Sequence, residues 1–393
     1  MARSPTALAD PAVLQWLRTT AGYSIEDAAK RVQTKPENLN AWESGEQKPS
    51  MPQLRNLARV FKRPISDFFL SRPMDEPAIP HDFRRLPTEG SFGYSPALRH
   101  ELRQAHRRRA VALDLLADLE QPAPSFAPRG TATIRDNAEE LGAHVRKLLG
   151  VSNAEQAKWR DPRIGYNAWR SRIEAAGVLI FQITTVEKAQ MLGFSLAFEQ
   201  LPVIGINRKL KPNGRTFTML HEFTHLLLGE SGLCDIEEGF TRPPTEQAVE
   251  VFCNHVAGAA LVPMDTLKSF AIVARSSTET IWADDALDAL ARSFSVSSQV
   301  ILRRLLIGGC TSHAFYAAKR QELLARYAAM EEAEREQPNE MRRNMAREAA
   351  SNLGSFARLV VESYQSDAIN LTDASKFLGV KAEKVVSVGE LLR

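Results

Sequence analysis

His221-Glu222-Phe223-Thr224-His225 is the stretch that decides the fold in the middle of this chain. Residues four apart on a helix project from the same face, so both imidazoles can reach one metal ion while Glu222 lies beside them. Two histidines and a glutamate at this spacing are typical of zinc hydrolases, in which the carboxylate activates a water molecule. The motif predicts His221 and His225 as zinc ligands and Glu222 as the catalytic base.

The flanking residues predict that this motif lies on a buried helix. Residues 215–220 contain no Pro or Gly, and three leucines precede Gly229, which is a typical helix end. A zinc site needs a third protein ligand, and a second predicted helix, Thr245 to Leu261, offers Glu246 and Glu250. Because so short a match also arises by chance, both histidines could instead be hydrogen-bonded core residues. The carboxylates on the second helix favour the metal site.

Composition places the chain among ordinary globular proteins. It has 393 residues, 44% hydrophobic and 25% charged, with a net charge of +3, which leaves room for two or three domains. No apolar run approaches the length of a membrane span, and residues 1–10 lack the apolar core of a signal peptide. The sequence therefore predicts a cytoplasmic protein without a membrane partner. The three cysteines are few, odd in number and widely separated, which predicts reduced thiols.

The N-terminal segment predicts a compact helical domain. Ser24 is placed to cap a helix over Ile25 to Val32, Pro36 suits the first turn of the next helix, and Gly45 ends it. These two helices form a helix-turn-helix, whose second helix would enter the major groove of DNA. The residues predicted to contact DNA are Thr34, Lys35, Glu37, Asn38 and Asn40 at bases or phosphates, with Gln47 and Lys48 at the backbone. Trp42 and Glu43 are assigned to structure.

Residues 11–70 resemble a Cro/C1-type, or XRE, DNA-binding domain. The resemblance is carried by Leu17, Ala21-Gly22, Ser24, Ala28-Ala29, Val32, Leu39, Trp42-Glu43-Ser44-Gly45, Pro49-Ser50, Leu54, Leu57-Ala58 and Phe68-Phe69. It implies double-stranded DNA as a partner and leaves a homodimer open. Such a domain can also bind protein or serve only to dimerise, but lysine and asparagine on the second helix favour DNA.

The rest of the chain is predicted to hold a linker, an α+β domain and a helical extension. Residues 71–129 are a proline-rich linker with a basic helix, Pro96 to Leu119, whose charged face is expected in solvent. Residues 130–265 form the α+β domain, in which Leu192 to Phe198 and Pro202 to Asn207 resemble a hairpin. We also consider the hypothesis that Val203 to Asn207 holds a peptide by strand addition.

This α+β domain resembles the ImmA/IrrE metallopeptidase family. The resemblance is carried by Val203 to Asn207, Phe217 to His225, and Glu250 to Asn254 with the run that follows to Pro263. It implies a zincin-like, gluzincin-type fold, Zn²⁺ as cofactor, and Glu250 as the third ligand. It also implies that the substrate is a protein, namely a repressor whose cleavage relieves repression.

Residues 266–393 are predicted as a mostly helical C-terminal extension. Within it, two helices joined at Ser295-Val296-Ser297 are compatible with a second helix-turn-helix, but packing against the peptidase domain, with Arg303 and Arg304 in solvent, is preferred. The predicted architecture is thus multidomain, with an all-α N-terminal domain. It indicates a DNA-binding regulator with a zinc endopeptidase that cleaves or controls a repressor-type protein. The alternative is a non-proteolytic transcription factor or antitoxin-like component whose protease fold senses or binds a partner.

Overall fold

The computed structural model describes residues 7–75, 94–234, 244–336 and 344–392, without the side chains of residues 233–234, 244–246 and 334–336. The chain divides into two compact units. Residues 1–79 with 85–107 form the first unit, and residues 80–84 with 108–393 form the second.

The first unit contains short helices that begin and end at local sequence signals. Asp10 accepts hydrogen bonds from the first backbone amides of α1, and Ser24 accepts one from Asp27 at the start of α2. Gln33, with φ of 59°, ends α2 in the left-handed conformation. The helices are α1 (Pro11–Ala21), α2 (Ile25–Val32), α3 (Pro36–Glu43), α4 (Met51–Phe61) and a 3₁₀ helix (Ile65–Phe69). The predicted helical domain is confirmed.

One buried ion pair holds α1 against α3. Arg18 donates from Nε and Nη2 to the two carboxylate oxygens of Glu43, at 2.7 and 2.8 Å, and from Nη1 to the carbonyl of Tyr23 at 2.8 Å. Trp42 lies in the apolar core of the unit with Leu39. The structural assignment of Trp42 and Glu43 is therefore confirmed.

Helix α5 (Pro96–Asp118) is less solvated than its charges suggested. In the first unit, Arg103 donates to the carbonyl of Thr20 at 3.0 Å, and burial lowers the pKa of Arg103 to about 10. The stem of Arg99 lies against Gly22, with Cδ 2.7 Å from where a Cβ would stand. The expectation of a solvated face is wrong for these two arginines, because the carbonyl of Thr20 holds the guanidinium of Arg103 and Arg99 packs on the bare backbone of Gly22.

The second unit is built on a small mixed sheet. Its strands are β1 (Leu179–Ile183), β2 (Gly193–Leu196), β3 (Val203–Asn207) and β4 (Gly232–Cys234), in the order β1-β3-β2-β4. β3 runs parallel to β1 and antiparallel to β2, and β2 also pairs with β4. The hairpin prediction is confirmed. The strand-addition hypothesis is wrong for Val203 to Asn207, because both edges of β3 are already paired.

Helices enclose the sheet and its core. They are α6 (Ala138–Leu148), α7 (Asn153–Gln156), α8 (Pro162–Ala175), α9 (Pro212–Leu228) and α10 (Pro244–Leu261). α9 is buried from Thr218 to Leu227 and ends at Gly229, whose φ is 76°. A Cβ on Gly142 of α6 would lie 2.6 Å from Cβ of Ala259, so α6 and α10 pack at close range. The predicted α+β domain is confirmed.

The C-terminal part is helical, as predicted. It comprises α11 (Met264–Lys268), α12 (Ala271–Ala274), α13 (Asp284–Phe294), α14 (Ser298–Ile307), α15 (His313–Glu336), α16 (Met345–Leu353), α17 (Ser355–Gln365), α18 (Leu371–Leu378), a 3₁₀ helix (Ala382–Lys384) and α19 (Val385–Leu392). α16 covers the outer edge of β1, where Gln182 donates to the carbonyl of Ser351 at 2.7 Å. Among the described residues, no helix is both long and apolar enough to cross a membrane.

Arg304 on α14 is buried, with 1% of its surface exposed. Its guanidinium donates to both carboxylate oxygens of Glu139 at 2.5 and 2.7 Å, and its Nε donates to the carbonyl of Val262 at 2.9 Å. The expectation that Arg304 is solvated is wrong. The reason is that Glu139 and the carbonyl of Val262 supply acceptors for the buried guanidinium, while its stem packs in ordinary contact against Gly258 of α10.

Candidate metal centre

Two helices bring His221, His225 and Glu250 to one point. α9 supplies the two histidines, one turn apart, and α10 supplies the carboxylate. The Nε2 atoms of the histidines are 3.1 Å apart. Glu250 places Oε2 3.4 Å from Nε2 of His221 and Oε1 3.2 Å from Nε2 of His225. The ligand atoms of all three lie within 4.8 Å of one another.

These separations fit a single tetrahedral ion. Ligands held at about 2.1 Å from zinc at tetrahedral angles are about 3.4 Å apart. The two histidine Nε2 atoms, 3.1 Å apart, lie close to that value, and each faces a different oxygen of Glu250 at 3.4 or 3.2 Å, so either carboxylate oxygen is near enough to share the ion with them. Imidazole nitrogen and carboxylate oxygen are also donors that zinc prefers. The group could hold Zn²⁺ and leave a fourth position open.

Asn254 orients one of the histidines. Its Oδ1 lies 3.1 Å from Nδ1 of His221, so it accepts that proton and leaves Nε2 free for a metal. Asn254 stands one turn after Glu250 on α10 and therefore on the same face. The sequence prediction missed this role, although the four-residue spacing from Glu250 is the signal that would indicate it.

The charge states of the ligands suit a cation. Burial opposes ionisation of Glu250, but the two neighbouring histidines outweigh it and hold the pKa of Glu250 below its ordinary value. Burial lowers the pKa of His225. A carboxylate and a neutral imidazole are the forms that bind metal. Of the other residues considered, Cys253 packs in the buried core, and the side chain of Glu246 lies outside the described residues.

Glu222 is fully buried beside the two histidines. Burial raises its pKa to about 8, the nearby Glu250 adds to the increase, and His221 and Ser195 act against it. The charge of a bound cation would act in the opposite direction from burial. A carboxyl group poised near neutrality can both accept and return a proton.

Gly193, the first residue of β2, makes room for that carboxylate. A Cβ at this position would lie 2.9 Å from Oε1 of Glu222 and 2.6 Å from Cγ2 of Thr218. A side chain there would displace one of them. The sequence prediction did not single out Gly193, although a glycine inside a strand commonly marks a close approach.

The predicted DNA-contacting residues lie on α3 and immediately before and after it. Lys35, Glu37, Asn40, Gln47 and Lys48 are exposed. Thr34 and Asn38 are partly buried and bonded to each other, since Nδ2 of Asn38 donates to Oγ1 of Thr34 at 3.2 Å. The five exposed residues are therefore the ones available to an external partner.

Comparison with known proteins agrees with both predicted domains. Residues 138–306 match the family described as IrrE N-terminal-like domain (Peptidase_M78). Residues 14–68 match the helix-turn-helix family HTH_3. The chain carries a helix-turn-helix domain and an ImmA/IrrE-type metallopeptidase domain. Both sequence resemblances are thereby confirmed.

A curated relative adds to this assignment. The radiation response metalloprotease IrrE of Deinococcus deserti is 37% identical over 67 residues, which are 16% of this chain and 24% of the relative. The chain thus matches about a quarter of that protein's length. The IrrE-type match runs to residue 306, through α13 and α14, whereas the sequence predicted a boundary at residue 265. That boundary stays a prediction.

Proposed function

We propose that this protein is a DNA-binding transcriptional regulator with a zinc-dependent endopeptidase domain that cleaves a repressor-type protein. The observation that carries the proposal is the convergence of His221, His225 and Glu250 beside the buried Glu222. The helix-turn-helix domain on the same chain supplies the regulatory setting. We expect the protein to act in the cytoplasm.

In this proposal, His221, His225 and Glu250 hold the zinc ion. Bound zinc would supply a Lewis acid that polarises a peptide carbonyl and acidifies water. Asn254 keeps the proton of His221 on Nδ1, so that Nε2 is available as a ligand. Because these three residues supply the ligands, Glu222 does not bind the metal and remains available for proton transfer.

Glu222 moves the proton. It would take a proton from the attacking water at one carboxylate oxygen and deliver it to the leaving amine. Because Gly193 has no side chain, this carboxylate packs directly against β2, close to the ligands. Because Glu222 is buried, bulk water does not compete for its proton.

The burial of the centre supports a narrow substrate range. His221, Glu222 and His225 have no exposed surface, so a peptide needs a local opening to reach them. A regulatory peptidase that acts on one partner fits this requirement better than a degradative one. The metalloprotease described for the Deinococcus deserti relative acts in a radiation response, which supports a stress-linked role here.

We assign the DNA contacts to α3 and the loop after it. Lys35, at the N-cap of α3, and Glu37 and Asn40 within it are exposed and would face base edges or phosphates, with Thr34 and Asn38 at the start of the same surface. Gln47 and Lys48 would contact the backbone.

The same burial favours a second candidate. If the centre never opens, the metallopeptidase fold would serve as a zinc-stabilised sensor or partner-binding module of a non-proteolytic regulator. Zinc would then be structural, as it is where all ligand positions are closed to substrate.

One experiment separates these functions. Wild-type protein, Glu222→Gln and His225→Ala are purified, their zinc content is measured by mass spectrometry, and each is incubated with repressors encoded beside its gene. We expect a single defined cut only with the wild type, while Glu222→Gln retains zinc and His225→Ala loses it. Stoichiometric zinc without any cut would favour the non-proteolytic regulator. Absence of zinc from the wild type would leave the histidines as core residues.

A further inference from the structure

The second unit contains a pocket that shares no residue with the metal centre. It has a volume of about 480 Å³ and lies between α7, the α11–α12 segment and α13. Its lining includes Asn153, Arg160, Phe270, Arg292, Ser293 and Phe294. A cavity of this size accommodates a small organic molecule.

Two cations lie at this pocket. Arg160 and Arg292 are exposed, and neither forms an ion pair with any residue in the described part of the chain. Asp288, one turn before Arg292, is bound by Arg326 at 3.1 Å and by the hydroxyl of Ser298, and the charge of Arg292 also helps to lower the pKa of Asp288. Guanidinium groups suit phosphate because they donate two parallel hydrogen bonds. Two guanidinium groups at the pocket therefore favour an anionic ligand.

The remaining surface of the pocket is aromatic. The rings of Phe270 and Phe294 are 5.7 Å apart at an angle of 46° and pack as one wall. Phe294 is buried, whereas Phe270 is partly exposed and can receive another ring. Ala157 and Ala289 add no bulk to the lining.

The polar groups of the lining are already engaged. Asn153 donates to Oγ1 of Thr266 at 2.7 Å and accepts from Arg146 at 2.7 Å. The hydroxyl of Ser293 donates to the carbonyl of Ala289. Recognition thus depends on two cations and one aromatic face. We propose that this pocket binds a nucleoside phosphate, with the phosphate on Arg160 and Arg292 and the base on Phe270.

The pocket is linked to the helix that carries Glu250. Gln156, which lines it, donates to the carbonyls of Leu261, at the end of α10, and of Phe294, at 2.8 and 3.0 Å. Arg146 donates to the carbonyl of Ala260 at 2.7 Å. A bound nucleotide would tie α7 and α13 together around the last turn of α10. The site is therefore suited to report nucleotide levels to the metallopeptidase domain.

Binding is measured by isothermal titration calorimetry on the full chain with AMP, GMP and inorganic phosphate. The test variant is Arg160→Ala with Arg292→Ala. The control is Arg163→Ala with Arg358→Ala, which removes the same charge from two exposed arginines outside the pocket. We expect a nucleotide to bind the wild type and the control alike, and the test variant at least about tenfold more weakly. Equal thermal midpoints show that both variants fold.

A separate variant tests whether the aromatic wall stacks on the base. Phe270→Leu keeps an apolar side chain but removes the stacking ring, so nucleotide affinity is expected to fall while phosphate binding does not change. The proposal is overturned if neither nucleotide binds at millimolar concentration, if the control loses as much affinity as the test variant, or if phosphate binds as tightly as the nucleotides. The measurement does not depend on peptidase activity, so its outcome is independent of the proposed cleavage.

Discussion

Two helix pairs of this chain have the same turn but different surroundings. α2 and α3 are joined at Gln33 with φ of 59°, and α13 and α14 at Ser295 with φ of 54°, both left-handed. α3 and its N-cap leave Asn40 and Lys35 exposed, whereas α14 buries Arg304 beneath its neighbours. A helix-turn-helix is thus a local geometry, and the packing around its second helix decides whether it can read DNA.

The difference arises from the distribution of apolar residues. α3 buries Leu39, Ala41 and Trp42 and keeps its other face in solvent. α14 buries Ile301, Leu302 and Leu305 together with Arg304, so that most of its circumference is covered. Four predictions test this contrast.

The largest effect is expected from Arg304→Met. This change leaves Glu139 without its bidentate partner and the carbonyl of Val262 without its donor. Loss of the three hydrogen bonds of the buried guanidinium should cost about 3 kcal/mol of unfolding free energy, at about 1 kcal/mol for each bond. Urea unfolding of the second unit measures it. Arg303→Met, next to it but half-buried, should cost less than about 1 kcal/mol. Equal losses of unfolding free energy at Arg303 and Arg304 would show that the buried Arg304 does not distinguish α14 from the exposed α3.

A somewhat smaller effect is expected from Arg18→Met in the first unit. The change removes the bonds to Glu43 and to the carbonyl of Tyr23, and should cost about 2 kcal/mol. Hydrogen exchange would show faster opening of α1 and α3 with no change in the second unit. Glu43→Gln retains an acceptor for Arg18 and should lose less. Destabilisation that spreads through the second unit would contradict the independence of the two cores.

Lys35→Ala tests directly whether the exposed surface at the start of α3 contacts DNA. Loss of one phosphate or base contact should weaken DNA binding about fivefold. The slope of log affinity against log salt concentration should become about 0.9 less steep. Fluorescence anisotropy at several salt concentrations, with a labelled DNA duplex selected for binding to the wild type, measures both quantities. Arg303→Ala on α14 is the matched change and should leave DNA affinity unaltered. A comparable loss there would show that α14 also contacts DNA.

The smallest effect concerns pH. Burial alone would raise the pKa of Glu139, but hydrogen bonds from Arg304 and His255 outweigh it and lower the pKa to about 2, from an ordinary value of 4.5. A depressed pKa in the folded state contributes stability above the ordinary pKa, and that contribution is lost as pH falls from about 5 to about 2. Because Glu139 is partly exposed, we expect less than about 1 kcal/mol.

The matched variant for this titration is Glu139→Gln, which cannot ionise. The difference in unfolding free energy between wild type and variant should shrink as the solution is acidified over that range. A difference that is independent of pH would show that the carboxylate of Glu139 contributes nothing to holding α14 against α6.

Local signals allowed much of the fold to be predicted. The caps at Ser24 and Gly229, the four-residue spacing of the histidines within α9 and the short apolar runs of the strands depend on neighbours in sequence, and the structure bears out the elements that they predict. The grouping of Glu250 with His221 and His225 followed from resemblance. Periodicity does not encode contacts between distant segments. Such contacts determine the burial of Arg304, the hydrogen bond between His221 and Asn254, and the central place of β3.

Gly193 limits how the proposed centre can vary. Any side chain larger than hydrogen at this position would meet Glu222 and Thr218 within contact distance. New substrate preferences, natural or selected in the laboratory, would therefore have to be acquired at other positions around the centre. In a saturation library, position 193 should tolerate no replacement that retains activity.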